Sequence, residues 1–378
     1  MINGMPSRRG LLKAGAAVAA CIAGSQTISA HVFARTPLVR PLVFGHRGAC
    51  AWRPEHTLAS YAKAIADGAD FVEPDLVSTR DGVLVARHEN NIAETTDVAA
   101  HAEFADRHAV RMIDGQSIAG WFTEDFTLAE LKTLRARERL GTFRPESQSY
   151  DDHFQIVTFD EIADFVAAEA AARGRVVGLI PELKHSTYFA GIGLPLEAQF
   201  VAALDTHRYL KTAPVIVQSF EVGNLRSLHS VLDGRPNIQL MQLTESTETP
   251  ADRAAAGDRR KWGERLDDAG LAEIASYADW LSPFREDLLH AAGGKPAVST
   301  GLVARAHRAG LRVSSWTFRP ENRFLPSYLR DTRGEESRNP AGSIADIRRF
   351  IDEGIDGFFT DDPALGVEAR ARQADRRI

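Results

Sequence analysis

HRGACAWRPEHTLASYAKAIADGADFVEPDLVSTRDGVLVARHE, residues 46–89, holds a helical pattern, two apolar runs and a tight turn in close succession. Within it, 57–67 places apolar residues three and four apart, the spacing of a helix with one buried face. Residues 71–76 and 83–86 are short and apolar, as strands are. Only the residues around Arg80-Asp81-Gly82 separate them. A parallel crossover needs roughly a dozen residues, so this pair is expected to be a hairpin with an Asp-Gly turn. One more apolar run, 42–45, stands just before His46.

The alternation continues outward. Strands are expected at 42–45, 71–76, 83–86, 177–183, 214–218, 238–242, 280–282, 311–316 and 357–360. With the returning strand set aside, eight remain, the number that closes a TIM-type (β/α)8 barrel. Helical spacing recurs at 159–173, 196–207, 222–232, 300–309 and 343–353. Thr158 and Glu161 form a capping-box pattern, and Gly174, Gly310 and Gly354 stand where left-handed caps are expected. The polar stretch 95–157 breaks the rhythm. It reads as an insertion after the second strand and its hairpin, with no strong strand and one short helix at 128–135, covering one side of the barrel mouth. Residues 244–268 and 320–342 read as loops.

Ser7-Arg8-Arg9-Gly10-Leu11-Leu12-Lys13 is a twin-arginine pattern followed by an Ala-rich apolar run, 14–24. That run is too short to span a bilayer and reads as part of a signal peptide, residues 1–34, cut after Ala34. The implied partner is the twin-arginine export machinery, and the implied location is periplasmic or secreted. Val18-Ala19-Ala20-Cys21 also resembles a lipobox, and anchoring through Cys21 is the weaker reading. The remainder, 35–378, is expected to be a single domain with no integral membrane segment. Losing the three basic residues of 1–34 takes the formal charge from −6 to −9, which argues against nucleic acid as a partner. Cys50 is then the sole cysteine, so no internal disulfide staples the fold.

His46-Arg47-Gly48-Ala49, Pro54-Glu55-His56-Thr57, Glu73-Pro74-Asp75 and Asp81-Gly82 before His88 follow one another in a fixed order. Downstream come Pro181-Glu182-Leu183-Lys184, Gln218-Ser219-Phe220, Trp316-Thr317 and Asp356-Gly357-Phe358-Phe359-Thr360-Asp361. This ordered set resembles the glycerophosphodiester phosphodiesterases, most closely their periplasmic bacterial branch. The resemblance implies a barrel of the phospholipase C-like phosphodiesterase kind. It implies metal-dependent hydrolysis of small glycerophosphodiesters, such as glycerophosphocholine and glycerophosphoethanolamine, to glycerol 3-phosphate and an alcohol.

The expected barrel puts these motifs where catalysis belongs, at the C-terminal ends of strands. Glu73, Asp75 and Glu182 offer three hard oxygen donors, suited to one divalent cation, Ca²⁺ or Mg²⁺, rather than Zn²⁺. His46 and His88 are the acid–base pair that the resemblance implies. Arg47 and Lys184 are the expected phosphate clamp, and either could instead balance the carboxylates. Phe220 and Trp316 are expected to wall the glycerol, although aromatic residues at strand ends also serve as barrel plugs. His56 reads as a helix-entry residue, Asp361 and Asp362 as supporting or cap acids, and His185 as surface or structural. Two other readings compete: a phospholipase D-like or phosphoinositide phospholipase C-like lipase, and a catalytically inactive extracellular binding protein. The lipase needs a membrane-binding face, for which no aromatic-rich loop appears, and the inactive protein predicts lost histidines or acids.

Overall fold

The computed structural model of the 378-residue chain describes residues 38–290 and 296–374. The expected signal peptide and Cys21 lie outside the described residues.

Strands β1 (Leu42–Gly45), β2 (Phe71–Val72), β3 (Asp75–Ser78) and β4 (Leu84–Ala86) come from the decisive stretch. The insertion adds β5 (Ala109–Ile113) and β6 (Gln116–Gly120). Then follow β7 (Gly178–Leu179), β8 (Glu182–Leu183), β9 (Val215–Ser219), β10 (Ile238–Thr244) and β11 (Trp280–Pro283). A short antiparallel pair, β12 (Leu289–His290) and β13 (Val298–Ser299), precedes β14 (Arg312–Phe318) and β15 (Gly357–Thr360). Parallel pairing runs from β1 through β2, β7, β9, β10, β11, β14 and β15 back to β1. The result is a closed barrel of eight positions, with β3 continuing the second and β8 the third. β4 returns antiparallel on β3, with Val77 opposite Val85, as the short connection required.

Two expected strands are each broken in the middle, and both breaks fall at a proline. Proline has no N–H to give the ladder. Glu73-Pro74 separates β2 from β3, and Ile180-Pro181 separates β7 from β8. The proline carbonyls still accept: Glu182 N–H donates to Pro74 (3.0 Å) and Gln218 N–H to Pro181 (2.9 Å). The break therefore bends the wall without opening it, and it carries Glu73 at the bend.

Alternation along the strands sends one set of side chains inward and the other toward the helices. Phe44, Phe71, Ile180, Ile216, Met241, Leu243, Trp280 and Phe359 form the small inner cluster. The larger cluster lies between the barrel and its helices. The helices match the apolar spacing closely. Phe159–Arg173 has its Thr158–Glu161 capping box and ends on Gly174 in the left-handed region. Pro340–Glu353 starts before the expected 343 because Asn339 caps it and Pro340 opens it.

The insertion departs from expectation. It contains the β5–β6 hairpin, turned by Asp114 and Gly115, both at positive φ. The expected helix at 128–135 shrinks to Leu128–Leu131, held by a Thr127–Glu130 capping box.

Candidate active site

His46 follows β1, its N–H donating to the Thr360 carbonyl of β15. Its Nδ1 donates to Asp361 Oδ1 (2.5 Å), and Arg144 from the insertion holds the other oxygen of Asp361 (2.5 Å). Arg144 also donates to Glu321 (2.8 Å) and to the Cys50 carbonyl (3.1 Å). Burial, aided by the neighbouring Arg47 charge, lowers the His46 pKa to about 4 despite Asp361. The imidazole is therefore neutral at pH 7, with Nε2 3.9 Å from Glu73 Oε2.

Arg47 is in the left-handed region (φ 55°), which turns its backbone N–H onto Glu73 Oε2 (2.8 Å). Its guanidinium pairs with Glu55 (2.8 Å) and lies 3.4 Å from Asp75. Asp75 Oδ2 accepts from His56 Nε2 (2.9 Å), while the Tyr61 hydroxyl donates to His56 Nδ1 (2.9 Å). His56, wholly buried, therefore orients Asp75 rather than facing the cavity.

Glu73, Asp75 and Glu182 each bring an oxygen within 4.8 Å of the others. Adjacent strands supply them, with Asp75 in register with Glu182 and Glu182 with Gln218. Gln218 Nε2 donates to Glu73 Oε1 (2.9 Å). Lys184 Nζ pairs with Glu182 (2.8 Å) and lies 3.8 Å from Asp75 Oδ1. Burial and mutual repulsion push Glu73 well above the usual carboxylate range. Burial, outweighing Lys184, pushes Glu182 to about 8. Asp75 stays well below that range because Lys184 and His56 overcome its burial. Its Oδ1 has no hydrogen-bond partner. Three converging buried carboxylates, two of them pushed above the usual carboxylate range and one with an orphaned oxygen, fit a hard divalent cation, whose charge would hold all three ionised.

His88 returns on the hairpin after β4. Its Nδ1 lies 2.8 Å from Glu89 Oε1, although the approach angle falls outside hydrogen-bond geometry. Burial, with Arg47 and Lys184 adding to it, lowers the His88 pKa to about 4. Glu89 Oε2 in turn accepts from His185 Nε2 (2.9 Å), and His185 Nδ1 donates to Asp114 (2.6 Å). Burial opposes the charge on His185, but the two carboxylates prevail and raise its pKa to about 10.

His46, Arg47, Glu73, His88, Glu182 and Lys184 all line one cavity of about 260 Å³ at the C-terminal mouth of the barrel. Phe220 and Trp316 close one side, their rings edge to face at 5.4 Å. A buried, carboxylate-lined and cation-flanked pocket at this end of a barrel has the makings of a phosphate-ester site. The chain matches the Glycerophosphoryl diester phosphodiesterase family over residues 46–365.

The chain belongs to that family. It is an enzyme that hydrolyses phosphodiesters. A glycerophosphodiester phosphodiesterase of Arabidopsis thaliana is 35% identical over 340 residues, 85% of this chain and 84% of the relative. One from Haemophilus influenzae is 28% identical, covering 86% of this chain and 89% of the relative. Among solved structures, an Oleispira antarctica phosphodiesterase in complex with the product sn-glycerol-3-phosphate has a TM-score of 0.57 at 20% identity. It covers 90% of this chain and 98% of that one, a likeness of fold.

In this member of the family, all nine residues expected at the site come together around one cavity or its floor. Sequence reasoning missed the residues that hold them. Glu89 and His185 back His88, and His185 is no mere surface residue. Arg144 and Glu321 back Asp361. Glu89 adjoins His88 in sequence, so its role was in principle legible. Arg144 acts across 217 positions, and nothing local announces it.

Proposed function

We propose that this site hydrolyses glycerophosphodiesters, such as glycerophosphocholine and glycerophosphoethanolamine, to glycerol 3-phosphate and an alcohol. The observation carrying this reading is the convergence of Glu73, Asp75 and Glu182 between two histidines, each with Nδ1 turned to a carboxylate. That orientation leaves Nε2 of His46 and of His88 for substrate. One imidazole takes the proton from the attacking hydroxyl, whether of water or of the substrate's own glycerol. The other, taking up a proton once the phosphodiester anion sits beside it, gives that proton to the oxygen of the departing alcohol. Lys184 and Arg47 offset charge on the phosphate oxygens while also balancing the three acids. Phe220 and Trp316 give the glycerol an apolar wall. A divalent cation, Ca²⁺ or Mg²⁺, held by Glu73, Asp75 and Glu182 would add positive charge where the transition state gathers negative charge.

The test is glycerol 3-phosphate release from glycerophosphocholine, with chelator and with Ca²⁺ or Mg²⁺ restored. Chelation is expected to abolish turnover, and Glu73→Gln or Asp75→Asn to weaken metal binding measured calorimetrically. Full activity of the metal-stripped protein would remove the cation from the reading.

The location proposed is the periplasm or the exterior, reached by twin-arginine export of residues 35–378. Among the described residues no helix is long and apolar enough to cross a membrane. Intact-mass measurement is expected to give a mature N-terminus at Arg35. A diacylglycerol-modified Cys21 at the N-terminus would replace that with a lipid-anchored form.

A further inference from the structure

Beside the site cavity lies a second space of about 520 Å³. The two adjoin along Trp316, Thr317 and Arg319, which line both. At about 260 Å³, the site cavity falls below the roughly 300–1,000 Å³ typical of pockets that enclose a whole small ligand. It suits the phosphate and glycerol end of a diester. The alcohol on the far side of the phosphorus has to extend beyond it.

The wall of the second space is basic: five arginines line it against two acids, Glu286 and Asp346. Arg285 is buried and spends Nη2 on Asp346, leaving Nη1 without a hydrogen bond. Arg330 and Arg349 donate to backbone carbonyls rather than to acids. Three of the guanidiniums rest on rings at the wall: Arg319 over Phe324 (4.8 Å), Arg349 over Tyr328 (5.2 Å) and Arg285 over Phe350 (5.5 Å). Arg323 lies over Phe143 (5.3 Å). A guanidinium held against a ring has already lost rotamer freedom, yet keeps N–H groups at its edge for an anion. The Tyr328 hydroxyl, also without a partner, adds a donor.

We propose that this space is a subsite for the departing alcohol, and that it selects alcohols bearing an anion, such as a carboxylate or phosphomonoester, over cationic ones. This rests on the reading of the neighbouring cavity as a glycerophosphodiesterase site. Arg323 and Arg349 are the specificity-determining residues, because neither is committed to an acid in the ion pairs of the described residues and neither lines the cavity that holds the phosphate.

The experiment compares three diesters of glycerol 3-phosphate, with choline, with propanol and with 3-hydroxypropionate: a cationic, a neutral and an anionic alcohol. In the wild-type protein, kcat/KM is expected to be about tenfold higher for the hydroxypropionate ester than for the propanol ester, with choline lowest. Added salt is expected to compress that range. Arg323→Gln/Arg349→Gln is expected to abolish the preference while leaving the propanol ester unaffected. The single change Arg323→Gln, at an exposed position, gives up the stack on Phe143 and is expected to remove part of the preference. Circular dichroism checks that each variant is folded. Equal rates on all three esters in wild type, a preference for choline, or a double variant that slows all three alike would overturn the subsite. Failure to cleave any of the three would instead remove the activity reading, and the subsite with it.

Discussion

Before substrate binds, burial keeps His46 and His88 neutral at pH 7, and each has a carboxylate behind it. Removing either imidazole removes one proton transfer, which is worth about 10²–10⁴-fold in rate. His46→Ala and His88→Ala are each expected to cut kcat by at least about a hundredfold, with metal content unchanged. Their combination is expected to be less than additive, because both act in one reaction. A nitrophenyl phosphodiester needs no acid at its leaving oxygen. The variant whose activity that substrate selectively restores has lost the acid, which assigns the two roles. Glu89 makes a finer prediction. Glu89→Gln keeps the size of the side chain but loses the charge that orients His88. It is expected to lower kcat with little change in KM and to leave metal binding intact. An equal loss in the calorimetric metal affinity would show that Glu89 acts on the carboxylate cluster instead. The residues that touch the cavity were legible because each ends a strand or turns back from one. Their supports were not, because hydrogen-bond partners such as Arg144 and Glu321 meet only once the chain has closed.

The β5–β6 hairpin explains why the insertion looked structureless. β5 alternates partly buried and exposed residues, with Val110 and Met112 exposed, so it lacks the continuous apolar run of a barrel strand. The Asp114-Gly115 turn was the available signal, and it resembles the Asp81-Gly82 turn that was recognised. The hairpin reaches the site through one side chain, since Asp114 accepts from His185, which donates on its other side to Glu89. Holding His185 charged up to about 10 makes this link pH-dependent. An unfolded histidine loses its proton near 6.5. Below that pH the stabilisation is fully present, and it is lost as pH rises through about 10. Asp114→Asn is therefore expected to lower the melting temperature at pH 7, and the gap from wild type is expected to narrow by pH 10.5. A gap constant across that range would mean that Asp114 acts through the turn backbone alone. The proline breaks belong to the same scale. Both prolines are visible in the sequence. What composition could not convey is that a neighbouring strand keeps its bonds by using the proline carbonyls.

For the whole molecule, closure depends on an inner cluster far smaller than the outer one. The count of eight was legible because each position is a short apolar run separated from the next by a helix. Which alternate residue points inward was not, because a strand buried on both faces shows no polar side. Phe44 is the clearest test. It is wholly buried and meets rings from three other barrel positions: Phe71 (5.5 Å), Trp280 (6.1 Å) and Phe359 (4.9 Å). Phe71 and Phe359 flank β1 in the sheet, but Trp280 on β11 is reached across the barrel interior. Phe44→Ala deletes the ring common to all three contacts and leaves a cavity that the rigid wall cannot collapse to fill. The expected cost is about 3–5 kcal/mol, as for other buried Phe→Ala changes. Against a typical total stability of about 5–15 kcal/mol, that leaves a protein close to unfolding. Phe44→Leu keeps most of the volume and is expected to cost clearly less. Urea denaturation of both variants measures the difference. Because His46 begins one residue after this strand, the alanine variant is also expected to lose activity at temperatures where it remains folded. A fully active Phe44→Ala protein with near-normal stability would mean that the outer cluster alone holds the barrel and its mouth in place.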